Sequence, residues 1–275
     1  NIMFKFLKLK SYPLNKFNFF KTISPFYFKD RLFFAGERKE KSKTCIYKYD
    51  YKKKKLICCL IPNKDQRFIS PHIFKYKKNY LMLFELQNRK TKLSQISLAK
   101  SRDLNNWKVV NLKFIYNKNY SIGSPAIIKD KAKNKFAFFF YKQKKNEIRH
   151  ICFFKKNLNL NINNYKENSY MYNNILFNDY APFIFKIENE YFNIFSRWYG
   201  FITKKGFIFF SKSKDLIHWS TPIKVKVSEK IYLNKPKIIH YSEPHVTLNN
   251  NKLYLYFEQC NENGRWTIVK TKLLQ

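Results

Sequence analysis

Acidic residues are scarce in this chain, 18 against 55 basic ones among 275, so the places where they recur are informative. Glu37, Glu85 and Glu258 each end an apolar, aromatic-rich run, Glu243 stands directly before Pro244, and Asp179 lies three residues before Pro182. Carboxyl groups held in pairs, one protonated and one ionised, are the apparatus of general acid–base chemistry. Groups suited to binding stand beside them. His72 and His245 each follow a proline, Arg38 follows Glu37, and Arg197 precedes Trp198. A guanidinium clamps carboxylates and an aromatic plane offers a stacking face. Each residue also has a purely structural reading. The glutamates can pair with Lys or Arg at strand ends, the histidines can be hydrogen-bonded in an interior, and Arg197-Trp198 can be packing.

The elements that must position these groups repeat five times. A small or acidic residue precedes Pro, an apolar strand follows, then a polar turn, then an aromatic strand. The copies begin Ser24-Pro25-Phe26, Ser70-Pro71-His72, Ser124-Pro125-Ala126, Ala181-Pro182-Phe183 and Glu243-Pro244-His245, with prolines 46, 54, 57 and 62 residues apart. That period suits one four-stranded propeller blade per copy, and Pro is tolerated at the start of a strand. The further strands read as Thr44–Tyr49 and Lys55–Ile61 in blade one, Ser94–Lys100 and Trp107–Leu112 in blade two, Phe207–Ser213 and Ile223–Val227 in blade four, and Arg265–Lys272 in blade five. The sequence therefore predicts an all-β fold: one five-bladed β-propeller domain over 1–275, with four-stranded antiparallel blades around a central axis. Residues before each Pro and at the end of each second strand should ring that axis. The ring would hold Glu37, Arg38, His72, Glu85, Arg197, Trp198, Glu243, His245 and Glu258, with Asp179 within reach. For Glu243 the functional reading leads, since an acid beside the axis is costly unless used or paired.

A second repeat marks two hairpins. Ser101-Arg102-Asp103-Leu104-Asn105-Asn106-Trp107 matches Ser213-Lys214-Asp215-Leu216-Ile217-His218-Trp219. Asp can turn the chain by accepting backbone N–H groups, which leaves the Trp to pack between blades. Lys156–Asn174 has no 3.6-residue apolar stripe and reads as an irregular excursion between blades.

Composition narrows the partners. The net charge of +37 attracts polyanions, but the Lys runs sit between strands where solvated hairpin ends belong, and no specific nucleic-acid-binding signature accompanies them. Five Cys in an odd set, without metal-ligand spacing, point to reduced thiols of a cytoplasmic protein and to no metal or other cofactor. Residues 1–20 lack the pattern of a secretory leader, and no stretch approaches the roughly 18 apolar residues of a membrane span.

The Ser-(Lys/Arg)-Asp-Leu-x-x-Trp hairpins and the proline-led strands resemble the five-bladed propeller glycosidases, of arabinanase, xylosidase, invertase and levansucrase type, over about Pro25 to Lys272. The stretch Pro71 to Glu85 is also similar to propeller domains attached to some glycosyltransferases. The resemblance implies a carbohydrate ligand and hydrolysis of a glycosidic bond by two carboxyls. In those families a carboxylate precedes the Pro of several inner strands. Here the matching positions are Ser24, Ser70, Ser124, Ala181 and Glu243, so only Glu243 keeps an acid, matching the general-acid position, while Glu37, Glu85 or Asp179 would supply the base or nucleophile. Two other readings stand beside it: a non-catalytic carbohydrate-binding propeller serving glycan synthesis, and a basic surface for polyanions.

Overall fold

A computed structural model describes residues 5–6, 10–11, 14, 17–38, 41–130, 134–144, 147–158, 168–169, 178–199, 205–226, 238–250 and 252–274. All regular structure of these residues apart from short turns is strand. Two short strands near the start, β1 (Lys5–Phe6) and β2 (Lys10–Ser11), precede the first blade. Blade one is β3 (Phe19–Phe28), β4 (Arg31–Arg38), β5 (Lys41–Asp50) and β6 (Lys55–Leu60). Blade two is β7 (Gln66–Tyr76), β8 (Asn79–Asn88), β9 (Ser94–Ser101) and β10 (Lys108–Ile115). Blade three is β11 (Ser121–Asp130), β12 (Lys135–Lys144), β13 (Glu147–Lys155) and β14 (Asn168–Ser169). Blade four is β15 (Asn178–Ile187), β16 (Glu190–Trp198), β17 (Gly206–Ser213) and β18 (Ile223–Lys224). Blade five is β19 (Ile238–Asn249), β20 (Lys252–Asn261) and β21 (Trp266–Leu274). Its fourth place is filled from the other end of the chain, where β1 pairs Lys5 with Leu274 and β2 pairs Lys10 with Lys270, both antiparallel.

The innermost strands touch in cyclic order, β3 to β7 to β11 to β15 to β19, and β19 returns to β3. The fold is therefore a closed five-bladed propeller, as the five repeats require. The reading of 156–174 as an excursion falls largely on residues outside those described; within it, Asn168–Ser169 pairs with Ile151–Cys152 and completes blade three. Among the described residues no helix is long and apolar enough to cross a membrane.

The aromatic runs have a simple cause. Successive side chains of a strand point to opposite faces, and each face of a blade meets a different neighbour, so both must be apolar. Phe33 joins the cluster shared with blade two, with Ile46, Phe68 and Met82, while its neighbours Leu32 and Phe34 join the cluster shared with blade five, with Tyr256 and Ile268. Phe138 and Phe140 face blade two, whereas Phe139 faces blade four. The fifth interface joins Phe192, Ile194 and Phe210 of blade four to Val246, Leu255 and Phe257 of blade five. Fully burying one such side chain contributes roughly 1.5–3 kcal/mol.

The two matched hairpins fold alike. Asp103 Oδ1 accepts the N–H groups of Asn105 (2.8 Å) and Asn106 (2.9 Å), and Asp215 Oδ1 accepts those of Ile217 (2.9 Å) and His218 (2.8 Å). Leu104 and Leu216 take left-handed φ values of 65° and 68°. Trp107 meets Phe33 of blade one edge-on at 6.2 Å, and Trp219 meets Phe139 of blade three at 6.3 Å, both at 88°. Each hairpin thus delivers a Trp across a blade interface.

Candidate active site

Every inner strand breaks its ladder at the residue before its proline. The register slips between Ile23 and Phe26, Ile69 and His72, Gly123 and Ala126, Tyr180 and Phe183, and Ser242 and His245. At the break Ser24, Ser70, Ser124, Ala181 and Glu243 take φ of 53°, 50°, 48°, 52° and 50°, a left-handed conformation that costs non-glycine residues energy. The bulge leaves two residues unpaired. One is Pro, which has no N–H to satisfy; the other turns its N–H and side chain toward the axis.

Three of those freed N–H groups are caught from a neighbouring blade. Ser24 N–H donates to Glu258 Oε2 (2.8 Å), Ser124 N–H to Glu85 Oε2 (3.0 Å), and Glu243 N–H to Ser196 Oγ (2.9 Å). The three acceptors occupy one position of the second strand, the one opposite the residue that precedes the bulge; Ala35 and Tyr141 hold that position in blades one and three. The two acids in that set, Glu85 and Glu258, are buried.

Glu243 comes to the same place from blade five and reaches across the axis. Ser70 Oγ donates to its Oε2 at 3.3 Å and Ser124 Oγ to its Oε1 at 3.5 Å. Ser124 therefore touches two carboxyl groups, Glu85 through its N–H and Glu243 through its hydroxyl. The serines at the proline-led positions are donors to the acid that remains. Beneath this layer the residues after the prolines close the channel. Phe26 lies 4.7 Å from His72 and 4.2 Å from His245, and Phe183 lies 4.3 Å from His245, between ring centres. His72 Nε2 stands 3.2 Å from the carbonyl oxygen of Ile127 and His245 Nε2 2.9 Å from that of Tyr27. Burial lowers both imidazoles to about 3, so this floor is uncharged at neutral pH. The axial cavity between floor and mouth measures about 30 Å3 and is lined by all five proline-led turns.

The carboxyls are all pushed toward the protonated form. Glu243 is partly open to the cavity but surrounded by protein, and desolvation together with repulsion from Glu258 and Glu85 holds it well above the usual carboxylate range. Burial raises Glu258 to about 7, against the pull of Lys21 and the Ser24 N–H. Burial raises Glu85 as well, against the donations of Ser124 N–H and Tyr141, whose hydroxyl lies 2.9 Å from Oε1. Gly123 makes room for this arrangement: a Cβ there would collide with the Glu85 carboxyl and the Tyr141 hydroxyl.

The remaining residues singled out in the sequence lie around this centre. Asp179 and Arg197 are buried together as a bidentate ion pair, Nε to Oδ1 at 2.7 Å and Nη2 to Oδ2 at 2.8 Å, with Arg197 over the Phe209 ring at 4.8 Å. Trp198 ends β16, half-buried, opposite Asn178. Glu37 and Arg38 follow the ring position of blade one, Ala35, by two and three residues. Glu37 accepts from Thr44 Oγ1 (3.1 Å) and stands 3.9 Å from Arg89, and Arg38 lies over the rings of Phe19 and Tyr47. Tyr141, Ser196 and Gly123 carry no acid–base signal in the sequence, where the serines at the proline-led positions register only as missing acids. Counting back from each hairpin turn to the residue opposite the bulge would have found the first two.

No protein-family model matches the chain, and no curated protein matches it in sequence. Solved structures do match in shape. A thermostable family-43 glycoside hydrolase superposes with a TM-score of 0.67 at 12% identity, over 92% of this chain and 90% of that one. The fold is that of the five-bladed propeller glycoside hydrolases. The family-43 endo-arabinanase of Bacillus licheniformis gives 0.65 at 13% identity over 94% of both chains. The catalytic domain of the family-62 α-L-arabinofuranosidase of Coprinopsis cinerea gives 0.66 at 11% identity, over 98% and 96%.

Proposed function

We propose that this propeller hydrolyses a glycosidic bond at its axis, with Glu243 as proton donor and Glu258 as its ionised partner. The observation that carries the reading is the meeting of Glu243, Glu258 and Glu85 at one layer of bulges, with no Lys or Arg in ion-pair contact with any of them among the described residues. Such acids are expensive unless their protonation is used. Hydrolysis of this type needs one carboxyl that keeps its proton and another that has lost it. Desolvation, with repulsion from Glu258 and Glu85, supplies the first at Glu243. Lys21 and the Ser24 N–H favour the second at Glu258. Asp179 spends both oxygens on Arg197 and Glu37 is engaged by Thr44, so neither competes for the partner role. Glu85, fixed by Tyr141 and Ser124, positions the Ser124 hydroxyl on Glu243 and is a positioning residue.

The test is turnover of arabinan and aryl α-L-arabinofuranosides, the substrates suggested by the names of the structural neighbours, extended to xylosides and fructosides. Glu243→Gln should lower kcat by at least about a hundredfold, the scale of general acid catalysis. Activity should fall as pH drops through about 7, where Glu258 gains its proton, and fall again as pH rises through the elevated value of Glu243. Unchanged turnover in Glu243→Gln overturns the assignment.

A second reading, carbohydrate binding without cleavage, is favoured by one observation: the cavity is narrow and its serines already satisfy Glu243. It predicts oligosaccharide affinity that survives Glu243→Gln, with no hydrolysis by the unaltered protein.

A further inference from the structure

The outer side of blade two carries a second feature, remote from the axis. Ser101 pairs with Tyr80 at one end of β8, whereas Glu85 lies toward the other. Beside Ser101 a groove of about 580 Å3 is lined by Lys100, Ser101, Arg102, Asp103, Asn106, Lys108 and Val110. Lys100 and Lys108 are directly opposite each other on β9 and β10, so their side chains share a face, and like charges so placed are destabilising. None of Lys100, Arg102 and Lys108 has a carboxylate in contact among the described residues. Asp103, the one acid in the groove, already accepts from Ser101, Asn105 and Asn106.

The chain contains its own control. Blade four repeats this hairpin, but there Lys212, the counterpart of Lys100, has Glu190 at 3.5 Å. Glu190 precedes Tyr191, the partner of Ser213, and in blade two the residue preceding Tyr80 is Asn79. The counterparts of Lys108 and Val110, counted from the shared Trp, are Ser220 and Pro222. Blade two thus keeps three clustered cations that blade four dilutes or neutralises. The groove also borders a free sheet edge: among the described residues β10 has no strand on its outer side, and its bulged residue Val110 is 38% exposed.

We propose that this groove docks an extended acidic peptide of a partner protein, with carboxylates against Lys100, Arg102 and Lys108 and an apolar side chain on Val110. Charge complementarity selects the class, since a second copy of a chain carrying +37 would be repelled. Edge strands are ready docking sites for extended peptides. Single-stranded nucleic acid would need an aromatic platform; no ring lines the groove, and Trp107 beside it in sequence is turned edge-on into Phe33.

The experiment measures binding of a labelled synthetic peptide alternating Glu and Val by fluorescence anisotropy at about 0.15 M salt, where long-range attraction is screened. A single-stranded oligonucleotide and a sulfated oligosaccharide serve as competitors. We expect the double variant Lys100→Glu, Lys108→Glu to weaken peptide binding about tenfold or more, as loss of complementary charge does. The blade-four pair Lys212→Glu, Lys214→Glu should change it less than about twofold. No binding by the unaltered protein, equal weakening by both pairs, or tighter retention of either competitor through the same lysines overturns the proposal.

Discussion

Glu258 shows how one side chain can carry both a cost and a use. Its folded pKa of about 7 lies above its ordinary value of 4.5, so its contribution to stability is fully present below about 4.5 and is lost as pH rises through about 7. Glu258→Gln removes that loss. The variant should gain on the unaltered protein between pH 5 and 8, by on the order of 3 kcal/mol, measured as the difference between denaturation midpoints at the two pH values. A constant difference across that range would contradict the environment described. Gly123→Ala tests the packing of the same layer. Its methyl must displace the Glu85 carboxyl or the Tyr141 hydroxyl, so stability should fall by about 1–3 kcal/mol, the usual cost of overpacking, and turnover should fall with it. At this scale the sequence was only partly legible. Glu243 and Glu85 announce themselves as rare acids beside strand ends, and Glu258 likewise. Glu37 looks equivalent to them in sequence, yet its blade-one counterpart in the ring is Ala35, because a shift of two residues moves a side chain a full step along the strand.

Elements were read well where local chemistry defines them. The hairpins at Asp103 and Asp215 were legible because the motif names its own hydrogen bonds, and both Trp residues reach the neighbouring blade as expected. The N–H groups of Asn106 and Asn105 hold the Asp103 carboxyl well below the usual carboxylate range. Asp103→Ala should therefore cost about 1 kcal/mol, as loss of a comparable backbone cap does, read from urea denaturation, and Asp215→Ala should cost a similar amount. If neither variant loses stability, the turns are not held by these oxygens. Of the two-residue strands, Ile223–Lys224 was read within Ile223–Val227, but the others were not legible. Asn168–Ser169 and the strands at Lys5 and Lys10 carry too little periodicity to register; they form because neighbouring strands offer an unpaired edge.

At the scale of the whole molecule, periodicity did most of the work, since a run apolar on both faces is intelligible only when each blade is sandwiched between two others. Closure was the part that remained hidden. Blade five meets blade one through β19 and β3, and its outer place is completed by the first strands of the chain joining the last, Lys5 to Leu274 and Lys10 to Lys270, a contact no local pattern reports. Removing residues 1–11 bares the outer edge of β21 and should lower Tm by several degrees, about 2–4 °C for each kcal/mol lost in a domain of this size; an unchanged Tm would show that the ring is sealed without them. Closure also brings proline-led turns from all five blades to one axis, and so gathers Glu85, Glu243 and Glu258 from residues far apart in the chain. The most direct measurement of that gathering is the ionisation of Glu243 itself, followed by carbon-13 NMR of its labelled side-chain carboxyl from pH 4 to 9, with Glu243→Gln identifying the resonance. The structure predicts a midpoint well above the ordinary 4.5 that falls in Glu258→Gln; a midpoint near 4.5, indifferent to Glu258, would contradict it.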